Sequence, residues 1–533
     1  MATAPHQVVI EGDLDHQIKW GKVIDDRKCI GCHACTTACK MEHDVPLGVT
    51  RTYVKQVDVG VYPNVRRHFQ VTRCNQCANP PCVEICPVTA MFQRKDGIVD
   101  FDREVCIGCK ACIAACPYDA IYIDPNSNSA EKCNFCAHRI DQGLEPACVI
   151  VCPERALVVG DLNDPYSEVS QLIARQKVDV RKPEKGTVPK VMYVDANQYT
   201  LVPGLAAVPS GHASAQQREE YPVGQEPNLI MQLLAESGIA SSGLKNKMAA
   251  GSAAGAILSY DVPHRAPWDW RVSAYTWTKS VAAGAYLVAL ALPLLGAAVS
   301  EAFTLAANLL ALVFLGLTGL LLIADLKHPE RFLNILLRPQ WKSWLARGAF
   351  IITGYGAGLG IDVLLRLLGY PNGLGTLWIL TVPLAALTAI YTAFLFAQAK
   401  GRDLWQNPVL PMHLLTQAVM AGAAGLLIVA AATGAAALTA PLTGVLVGSV
   451  LLHLVIVLSE AVIPHTTADA ARAAKQLIRG AYRSYYWVSV ALGAAAVLAG
   501  LLAAPLAGAP LALVALLLYE HAYVQAGQSI PLS

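Results

Sequence analysis

The hydrophobic positions of this chain follow two patterns, and the change between them divides the sequence. From about residue 270 onward, Ala, Leu, Val and Gly form long apolar runs. A helix that crosses a lipid bilayer needs about 20 consecutive apolar residues. We therefore predict eight membrane-spanning helices, over residues 272–298, 302–325, 346–368, 374–398, 411–434, 441–463, 485–504 and 506–525. A soluble bundle of buried helices is the alternative, and eight runs of this length disfavour it.

The first 160 residues contain only short hydrophobic runs bounded by turn residues, which is typical of small strands and hairpins. The runs at 97–101 and 120–123 are examples. The pattern recurs along this part of the chain. It predicts an α+β domain with two nested ferredoxin-like folds, followed by an all-α polytopic membrane bundle of about eight helices.

Residues 161–265 show neither pattern. The stretch 204–226 is rich in Gly, Pro, Ser and Gln and indicates loop, and 228–234 is a candidate for a short helix. This segment is either a flexible tether or an ordered arm. The predicted domains are a first domain over 1–190, a linker or arm over 191–265, and a membrane domain over 266–533.

The composition agrees with a membrane protein. Of the 533 residues, 54% are hydrophobic and only 15% are charged, and the mean hydropathy is +0.41. An ordinary soluble domain has about 25% charged residues. The net charge of +2 gives no indication of nucleic-acid binding.

The candidate chemistry lies in the 16 cysteines, all between Cys29 and Cys152. They form four groups of four: Cys29, Cys32, Cys35 and Cys39; Cys74, Cys77, Cys82 and Cys86; Cys106, Cys109, Cys112 and Cys116; Cys133, Cys136, Cys148 and Cys152. In the first and third groups, three thiols share a seven-residue loop. Such a loop can wrap one cubane iron–sulfur cluster while the fourth ligand comes from elsewhere. Groups two, three and four end in Cys-Pro, where proline fixes φ and helps to end the loop.

Disulfides and structural zinc are the other uses of so many cysteines. Disulfides need an oxidising compartment. The first 20 residues have no apolar core, basic start or twin arginine, so we expect no export signal. Zinc sites usually pair two separated Cys-x2-Cys knuckles, whereas two groups here have three cysteines in one short loop. Iron–sulfur clusters are therefore the favoured interpretation.

The cysteine domain resembles the four-cluster electron-transfer subunit of complex iron–sulfur molybdoenzymes, the group of dimethyl sulfoxide, polysulfide and nitrate reductases and formate dehydrogenases. The similar stretches are CIGCHACTTACK, RCNQCANPPCVEICP, CIGCKACIAACP and KCNFCAHRIDQGLEPACVIVCP. The resemblance implies four 4Fe–4S clusters and a separate molybdopterin-containing catalytic subunit. It also implies that the clusters are held by Cys29, Cys32, Cys35 and Cys152; by Cys39, Cys133, Cys136 and Cys148; by Cys74, Cys77, Cys82 and Cys116; and by Cys86, Cys106, Cys109 and Cys112.

The membrane half resembles the polysulfide-reductase-type (NrfD-like) quinone-interacting anchor. The similar stretches are HRAPWDWRVSAYTWTKSVAAGAY, DLKHPERFLNILLRPQWKSWLARGAF and LSEAVIPHTTADAARAAKQLIRG. The resemblance implies a site for menaquinone or ubiquinone near the cluster domain. The candidate quinone-binding residues are the polar groups near the helix ends on that side: Tyr275, Lys279, Asp325, His328, Glu460 and His465. Ionisable groups in membrane spans are costly and by default indicate function. A bis-histidine heme at His413 and His453 is the alternative cofactor site.

Orientation follows from the basic residues of the short loops. Eleven lie in loops on the side of the N-terminus: Lys327, Arg331, Arg338, Lys342, Arg347, Lys400, Arg402, Arg472, Lys475, Arg479 and Arg483. The opposite loops contain only Arg366. We therefore expect a multi-pass protein of the cell inner or plasma membrane, with its cluster domain on the cytoplasmic side.

The predicted function is electron transfer and membrane anchoring for a respiratory oxidoreductase, between membrane quinone and the molybdenum or tungsten catalytic subunit. We expect quinone oxidoreduction in the membrane domain and no site for the partner's substrate on this chain. The alternative is a redox-driven proton-translocating subunit of an energy-converting membrane complex.

Overall fold

A computed structural model describes residues 17–61, 63–208, 255–264, 266–370, 375 and 378–533. The candidate short helix over 228–234 lies outside these residues, as does most of the predicted loop over 204–226. The described chain forms an α+β region of small sheets followed by an all-α bundle, which confirms the predicted fold class.

Eleven short strands are described in the first region. They are β1 (Trp20–Asp25), β2 (Tyr53–Val61), β3 (Asn64–Thr72), β4 (Met91–Gln93), β5 (Val99–Phe101), β6 (Ile121–Ile123), β7 (Ala130–Lys132), β8 (Leu157–Asp161), β9 (Val178–Asp179), β10 (Val191–Val194) and β11 (Ile257–Tyr260). One sheet has the order β8-β1-β10-β9, a second has β11-β2-β3, and β4–β5 and β6–β7 are separate hairpins. Each of these two hairpins follows a Cys-Pro step, where the proline ends the preceding cysteine loop.

The arm is partly integrated into these sheets. Strand β10 pairs in parallel with β1, with Lys22 opposite Val191. Strand β11 pairs antiparallel with β2, with Ile257 opposite Asp58. The described parts of the segment 191–265 thus supply an edge or a neighbour to both larger sheets.

In the described part of this region, seven short helices lie among the strands: α1 (Ala34–Glu42), α2 (Pro81–Ile85), α3 (Ala111–Ala115), α4 (Ala137–Ile140), α5 (Ala147–Ile150), α6 (Glu168–Arg175) and α7 (Gln198–Leu201). Several of them begin within or directly beside a cysteine group. Helix α1 carries Cys35 and Cys39 four residues apart, so both thiols project from one face.

Ten helices are described in the second region: α8 (Trp270–Ala291), α9 (Glu301–Ala324), α10 (Asn334–Leu337), α11 (Trp344–Leu367), α12 (Trp378–Gln398), α13 (Leu410–Ala432), α14 (Thr439–Val462), α15 (Ala468–Ile478), α16 (Arg483–Leu501) and α17 (Pro505–Gln528). Among the described residues, eight helices are long and apolar enough to cross a membrane. This confirms the predicted number, and the break near Pro505 separates α16 from α17. Helix α15 instead has the i, i+3, i+4, i+7 spacing of a surface helix, with Ala470, Ala473, Ala474 and Leu477 buried.

Helices α8 and α13 form the centre of the bundle, since about two thirds or more of their apolar segments are buried. They touch through backbone, because a Cβ built on Gly284 would lie 1.7 Å from the carbonyl oxygen of Ala418. Small residues permit such close approach of membrane helices. The core is continuous with the first region, since Cys86, Cys112 and Tyr118 belong to the same buried cluster as Trp268 and Tyr391.

Candidate functional site

Left-handed backbone shapes each cysteine loop. Gly31 (φ 68°) and His33 (φ 61°) follow Cys29 by two and four residues. Gly108 (φ 67°) and Lys110 (φ 63°) stand in the same places after Cys106. Residues other than glycine rarely adopt this left-handed backbone conformation, and the strain that it causes concentrates at functional loops. The turns direct backbone N–H groups inward, so that the N–H of Gly108 donates to Cys106 Sγ over 3.4 Å.

The sixteen thiols come together in four sets, here called sites 1 to 4. Site 1 has Cys29, Cys32, Cys35 and Cys152; site 2 has Cys39, Cys133, Cys136 and Cys148; site 3 has Cys74, Cys77, Cys82 and Cys116; site 4 has Cys86, Cys106, Cys109 and Cys112. The thiols of sites 1 and 4 each line a cavity. Those of sites 2 and 3 interact electrostatically within their sets. The family resemblance implies cluster ligation by sets of the same composition, and that ligation stays a prediction.

The sites form a row. The thiol of Cys35 in site 1 is close enough to that of Cys148 in site 2 to interact with it electrostatically. Cys133 of site 2 neighbours Cys74 of site 3. Cys82 of site 3 neighbours Cys112 of site 4. Site 1 lies at the surface, where Cys32 is exposed, whereas all four thiols of site 3 are buried.

The donor sets fit iron–sulfur clusters. Burial raises the pKa of Cys39 to about 12 and that of Cys29 to about 12, so these thiolates need a cationic partner such as iron. Backbone N–H groups donate to sulfur at Cys152 over 3.3 Å, from Ala156, and at Cys86 over 3.5 Å, from Met91. Among the described residues, no group of three or more His, Cys, Asp or Glu side chains is arranged to hold a single metal ion.

An apolar cavity of about 200 Å³ lies where site 4 meets the membrane bundle. It is bounded by residues of α8, α9, α11 and α12, and Cys109 lines one end of it. Its polar groups are few and include Tyr275, Asp325, Thr353 and Tyr391. A mostly apolar cavity with a few convergent polar groups is typical of a site for a small organic ligand.

Charge at the site-4 end of this cavity is paired. Lys110 of the third cysteine loop donates to Asp325 Oδ1 over 2.7 Å, and both side chains are buried. Hydrogen bonds from the membrane half fix the neighbouring backbone, since Arg331 donates to the carbonyl oxygen of Cys106 over 3.0 Å and Ser343 to that of Ile85 over 2.6 Å. The cavity and site 4 are therefore held in one fixed geometry.

The structure separates the six candidate quinone residues. Tyr275 and Asp325 line the cavity, whereas Lys279, His328, Glu460 and His465 are not among its described lining residues. Lys279 is fully buried one turn along α8 from Tyr275. Glu460 accepts a hydrogen bond from the Tyr519 hydroxyl over 3.2 Å. The His328 ring forms two hydrogen bonds of 2.7 Å, from Nδ1 to the Glu330 carboxylate and from Nε2 to the carbonyl oxygen of Ser127. The second of these bonds joins the membrane half to the cysteine domain.

Tyr391 and Thr353 were not among the residues that the sequence pointed to. Both are uncharged residues inside long apolar runs, and their sequence positions give no sign that they share a cavity. Trp268 also lines the cavity. It lies in HRAPWDWRVSAYTWTKSVAAGAY, one of the stretches that carry the resemblance to the quinone-interacting anchor.

The two histidines of the heme alternative touch each other. His413 Nε2 and His453 Nδ1 are 2.9 Å apart, joined by a hydrogen bond. Two imidazoles bound to one iron would have their nitrogens on the order of 4 Å apart, because metal–nitrogen bonds are about 2 Å. This geometry leaves no space for an iron between the rings.

Separate parts of the chain match different protein families. Residues 21–87 and 65–162 each match a family described as a 4Fe-4S dicluster domain. Residues 260–517 match the family described as polysulphide reductase, NrfD. Two dicluster domains indicate four clusters.

Curated relatives match the cysteine half. A subunit of the tetrathionate reductase of Salmonella typhimurium is 43% identical over 197 residues, which are 36% of this chain and 78% of the relative. The iron-sulfur subunit ArrB of the arsenate respiratory reductase of a Shewanella species is 36% identical over 225 residues, or 33% of this chain and 96% of the relative. Protein NrfC of Escherichia coli is 44% identical over 181 residues, or 33% of this chain and 81% of the relative.

Proposed function

Because the chain belongs to the family of iron–sulfur subunits of polysulfide-, tetrathionate- and dimethyl-sulfoxide-type reductases, fused here to an NrfD membrane domain, we propose that it carries electrons between a membrane quinone and a catalytic subunit. The family is one of electron-transfer subunits in reductases, which favours this function over proton translocation. We propose a molybdopterin-containing subunit as the catalytic partner and menaquinone or ubiquinone as the membrane substrate.

Sites 1 to 4 would each hold one 4Fe–4S cluster through their four thiolates. When bound, such a cluster accepts and releases one electron at a time. The row of sites gives the electron a route from the exposed end at Cys32 to the end at Cys109, beside the membrane bundle. The protein's part is to exclude water from sites 2 to 4 and to fix their separation.

One observation carries the quinone proposal: Cys109 belongs to site 4 and also lines the apolar cavity. A quinone ring in this cavity would contact the last site of the row directly. Its two oxygens need hydrogen-bond partners, which Asp325 offers at the site-4 end and Tyr275 and Tyr391 offer from α8 and α12. The cavity's apolar lining suits the ring and the start of an isoprenoid tail.

Asp325 is also the proposed proton acceptor for quinol oxidation. The Lys110 ammonium holds its carboxylate at the cavity wall over 2.7 Å. A carboxylate in that position would accept a hydrogen bond from one quinol hydroxyl and take its proton with the first of the two electrons that the quinol gives up. The second proton and the second electron leave in a separate step, after the first electron has moved along the row. Lys110 lies in the site-4 loop, so the proton acceptor and the electron acceptor are fixed by the same residue.

The experiment uses the full chain, purified anaerobically. Menaquinol or ubiquinol is added and the bleaching of the broad visible absorbance of the oxidised clusters is followed. We expect rapid bleaching in the wild type and bleaching at least about tenfold slower in Tyr275→Phe and Asp325→Asn. Dithionite, which needs no quinone site, should reduce all three proteins alike.

The matched control is His465→Ala, a half-buried loop residue that is not among the described lining residues. Its bleaching rate should equal that of the wild type. Unchanged rates in both cavity variants would contradict the proposed quinone site. If the pre-reduced protein instead reduces added quinone and quinol causes no bleaching, electrons flow toward the membrane.

We also propose that the cluster domain faces the cytoplasm, on the basis of the eleven basic residues against Arg366. The test is labelling of exposed lysines with a membrane-impermeant amine reagent in inside-out and right-side-out vesicles. Lys28 and Lys177, outside the membrane half, should react only in inside-out vesicles. Reaction in right-side-out vesicles would reverse the orientation.

A further inference from the structure

Two buried cations converge on one sulfur of site 2. Arg73 Nη1 donates to Cys148 Sγ over 3.0 Å, and Lys22 Nζ approaches the same sulfur at 3.5 Å. Arg73 is 2% exposed and Lys22 is 0% exposed. In the described part of the chain, these are the only charged side chains that hydrogen-bond a cysteine sulfur, apart from the imidazole of His43, which is 3.1 Å from Cys136 Sγ in the same site.

Arg73 has more donors than its visible partners use. Its Nε and Nη2 are buried and have no hydrogen-bond partner among the described residues. A buried guanidinium with unpaired N–H groups is costly. The sulfide ions of a bound cluster would accept these hydrogen bonds, which explains why a fully buried arginine stands beside four thiols.

The other cations near the sites are neutralised or directed elsewhere. Arg51, a neighbour of Cys39, forms an ion pair with Glu131 over 2.6 Å. Lys132 and Lys190 interact electrostatically with Cys74 of site 3, but both donate to backbone carbonyl oxygens, Lys132 to those of Val99 and Cys133 and Lys190 to that of Gly97. At site 4, Lys110 is paired with Asp325. Among the described residues, site 2 alone therefore has unneutralised cations in contact with its sulfur.

We propose that Lys22 and Arg73 make the cluster of site 2 the highest-potential cluster of the four, so that a single electron in the row rests there. An added electron is added negative charge, and a cation in contact with a ligand sulfur stabilises it. The inference rests on the proposed cluster ligation. Lys22 and Arg73 act through Cys148 and are positioning residues for electron transfer.

The resting place has a functional consequence. Site 2 lies between the surface-exposed site 1 and the deeper sites 3 and 4. An electron from the membrane would be held one step from the exposed end, ready for transfer to a partner. Quinol oxidation and partner reduction can then occur at different times.

The test is a redox titration of the purified full-length protein followed by low-temperature electron paramagnetic resonance. In the wild type, one cluster signal should appear first on reduction. In Arg73→Gln the midpoint potential of the same cluster should be lower by ~59 mV for one electron. At the potential where half of the wild-type cluster is reduced, about one part in ten of the variant's cluster should be reduced. Lys22→Gln should also lower this midpoint potential, and Arg73→Lys, which keeps the charge, should lower it less than Arg73→Gln does.

Lys182→Gln is the matched control, since Lys182 is a buried lysine paired with Asp469. It should leave all four midpoint potentials unchanged. Lys22 lies on β1, outside the cysteine loops, so it keeps the test decisive if Arg73→Gln loses its cluster. Unshifted potentials in variants that still contain four clusters would overturn the inference alone. A wild-type protein without four clusters would overturn the proposed function as well.

Discussion

The indole Nε1 of Trp268 donates a hydrogen bond to the carbonyl oxygen of Cys109 over 3.1 Å. Trp268 lies just before α8 of the membrane bundle, and Cys109 belongs to site 4. The indole also stacks on Trp405, with ring centroids 5.4 Å apart, and lines the cavity. One side chain therefore contacts the cysteine loop, the membrane core and the proposed quinone site.

Replacing Trp268 with Phe tests this contact. Phenylalanine keeps the aromatic stack but leaves the Cys109 carbonyl oxygen without its donor, at a cost on the order of 1–3 kcal/mol. We expect a lower melting temperature in detergent and slower reduction by quinol. The control is Trp341→Phe, because Trp341 is 56% exposed and its loss should change neither value. Equal melting of both variants would show that the hydrogen bond does not hold the domains together.

The backbone contact between α8 and α13 gives a second prediction. A methyl group on Gly284 would meet the carbonyl oxygen of Ala418 at 1.7 Å, and one on Gly422 would meet the carbonyl carbon of Gly284 at 2.1 Å. Because both obstacles are backbone, the helices must separate, at a cost of at least about 1–3 kcal/mol. Gly284→Ala and Gly422→Ala should each reduce the fraction of protein that elutes as a single species after solubilisation.

Gly444→Ala is the control for this helix contact. A Cβ at Gly444 would meet nothing within 4 Å, and alanine raises helix propensity by about 1 kcal/mol. This variant should elute like the wild type or better. If Gly284→Ala behaves in the same way, the two central helices are less tightly packed than the structure shows.

The sequence was sufficient for features that depend on local pattern. The apolar run 272–298 corresponds to α8 and the short 3-10 turn that ends at Leu295. The spacing of the cysteine groups was enough to indicate clusters, because loop geometry needs only a few adjacent residues. Both features are determined by residues close together in the chain.

The sequence was insufficient where several helices meet. Tyr391 lines the cavity because α12 packs beside α8, and a neutral residue in an apolar helix gives no prior sign of this. Glu460 is one of the six candidates because it is ionisable and lies in a predicted span; the structure places its carboxylate beside the Tyr519 hydroxyl, and it is not among the described residues that line the cavity. Lys22 and Arg73 are 51 positions apart, so their convergence on Cys148 needed the folded chain.

The pH dependence of stability should reveal the ion pair of His264. Its Nδ1 bonds Asp119 and its Nε2 lies 3.3 Å from Asp261. Burial alone would lower the pKa of His264, but the two carboxylates outweigh it and raise the pKa to about 9. An unfolded histidine has a pKa of about 6.5. The stabilisation is therefore complete below a pH of about 6.5 and is lost as the pH rises through about 9.

We expect the melting temperature of the wild type to fall between pH 7 and pH 10 more steeply than that of His264→Gln. The variant should also melt lower at pH 7, because Asp119 loses its cation. Thermal melts of both proteins at pH 7, 8.5 and 10 measure this difference. Parallel curves would mean that His264 remains neutral in the folded protein.

Lys279 and Glu520 give the last prediction, which concerns charges inside the membrane bundle. Lys279 is fully buried on α8 and donates to the carbonyl oxygen of Ala389 over 2.5 Å. Glu520 is 2% exposed on α17, and its Oε1 has no hydrogen-bond partner in the described part of the chain. The two groups interact electrostatically. Each therefore compensates part of the other's burial.

Removing one charge should cost more than removing both. Lys279→Met leaves Glu520 buried without its cation, a loss on the order of 3–5 kcal/mol, whereas the double variant Lys279→Met, Glu520→Gln contains neither charge. We expect the double variant to melt higher than Lys279→Met, so that the two effects are not additive. Melting temperatures and purified yields of the two single variants, the double variant and the wild type complete the cycle. Additive losses would mean that each residue is stabilised by separate neighbours, Lys279 through Ala389 and Glu520 through Thr276 beside it.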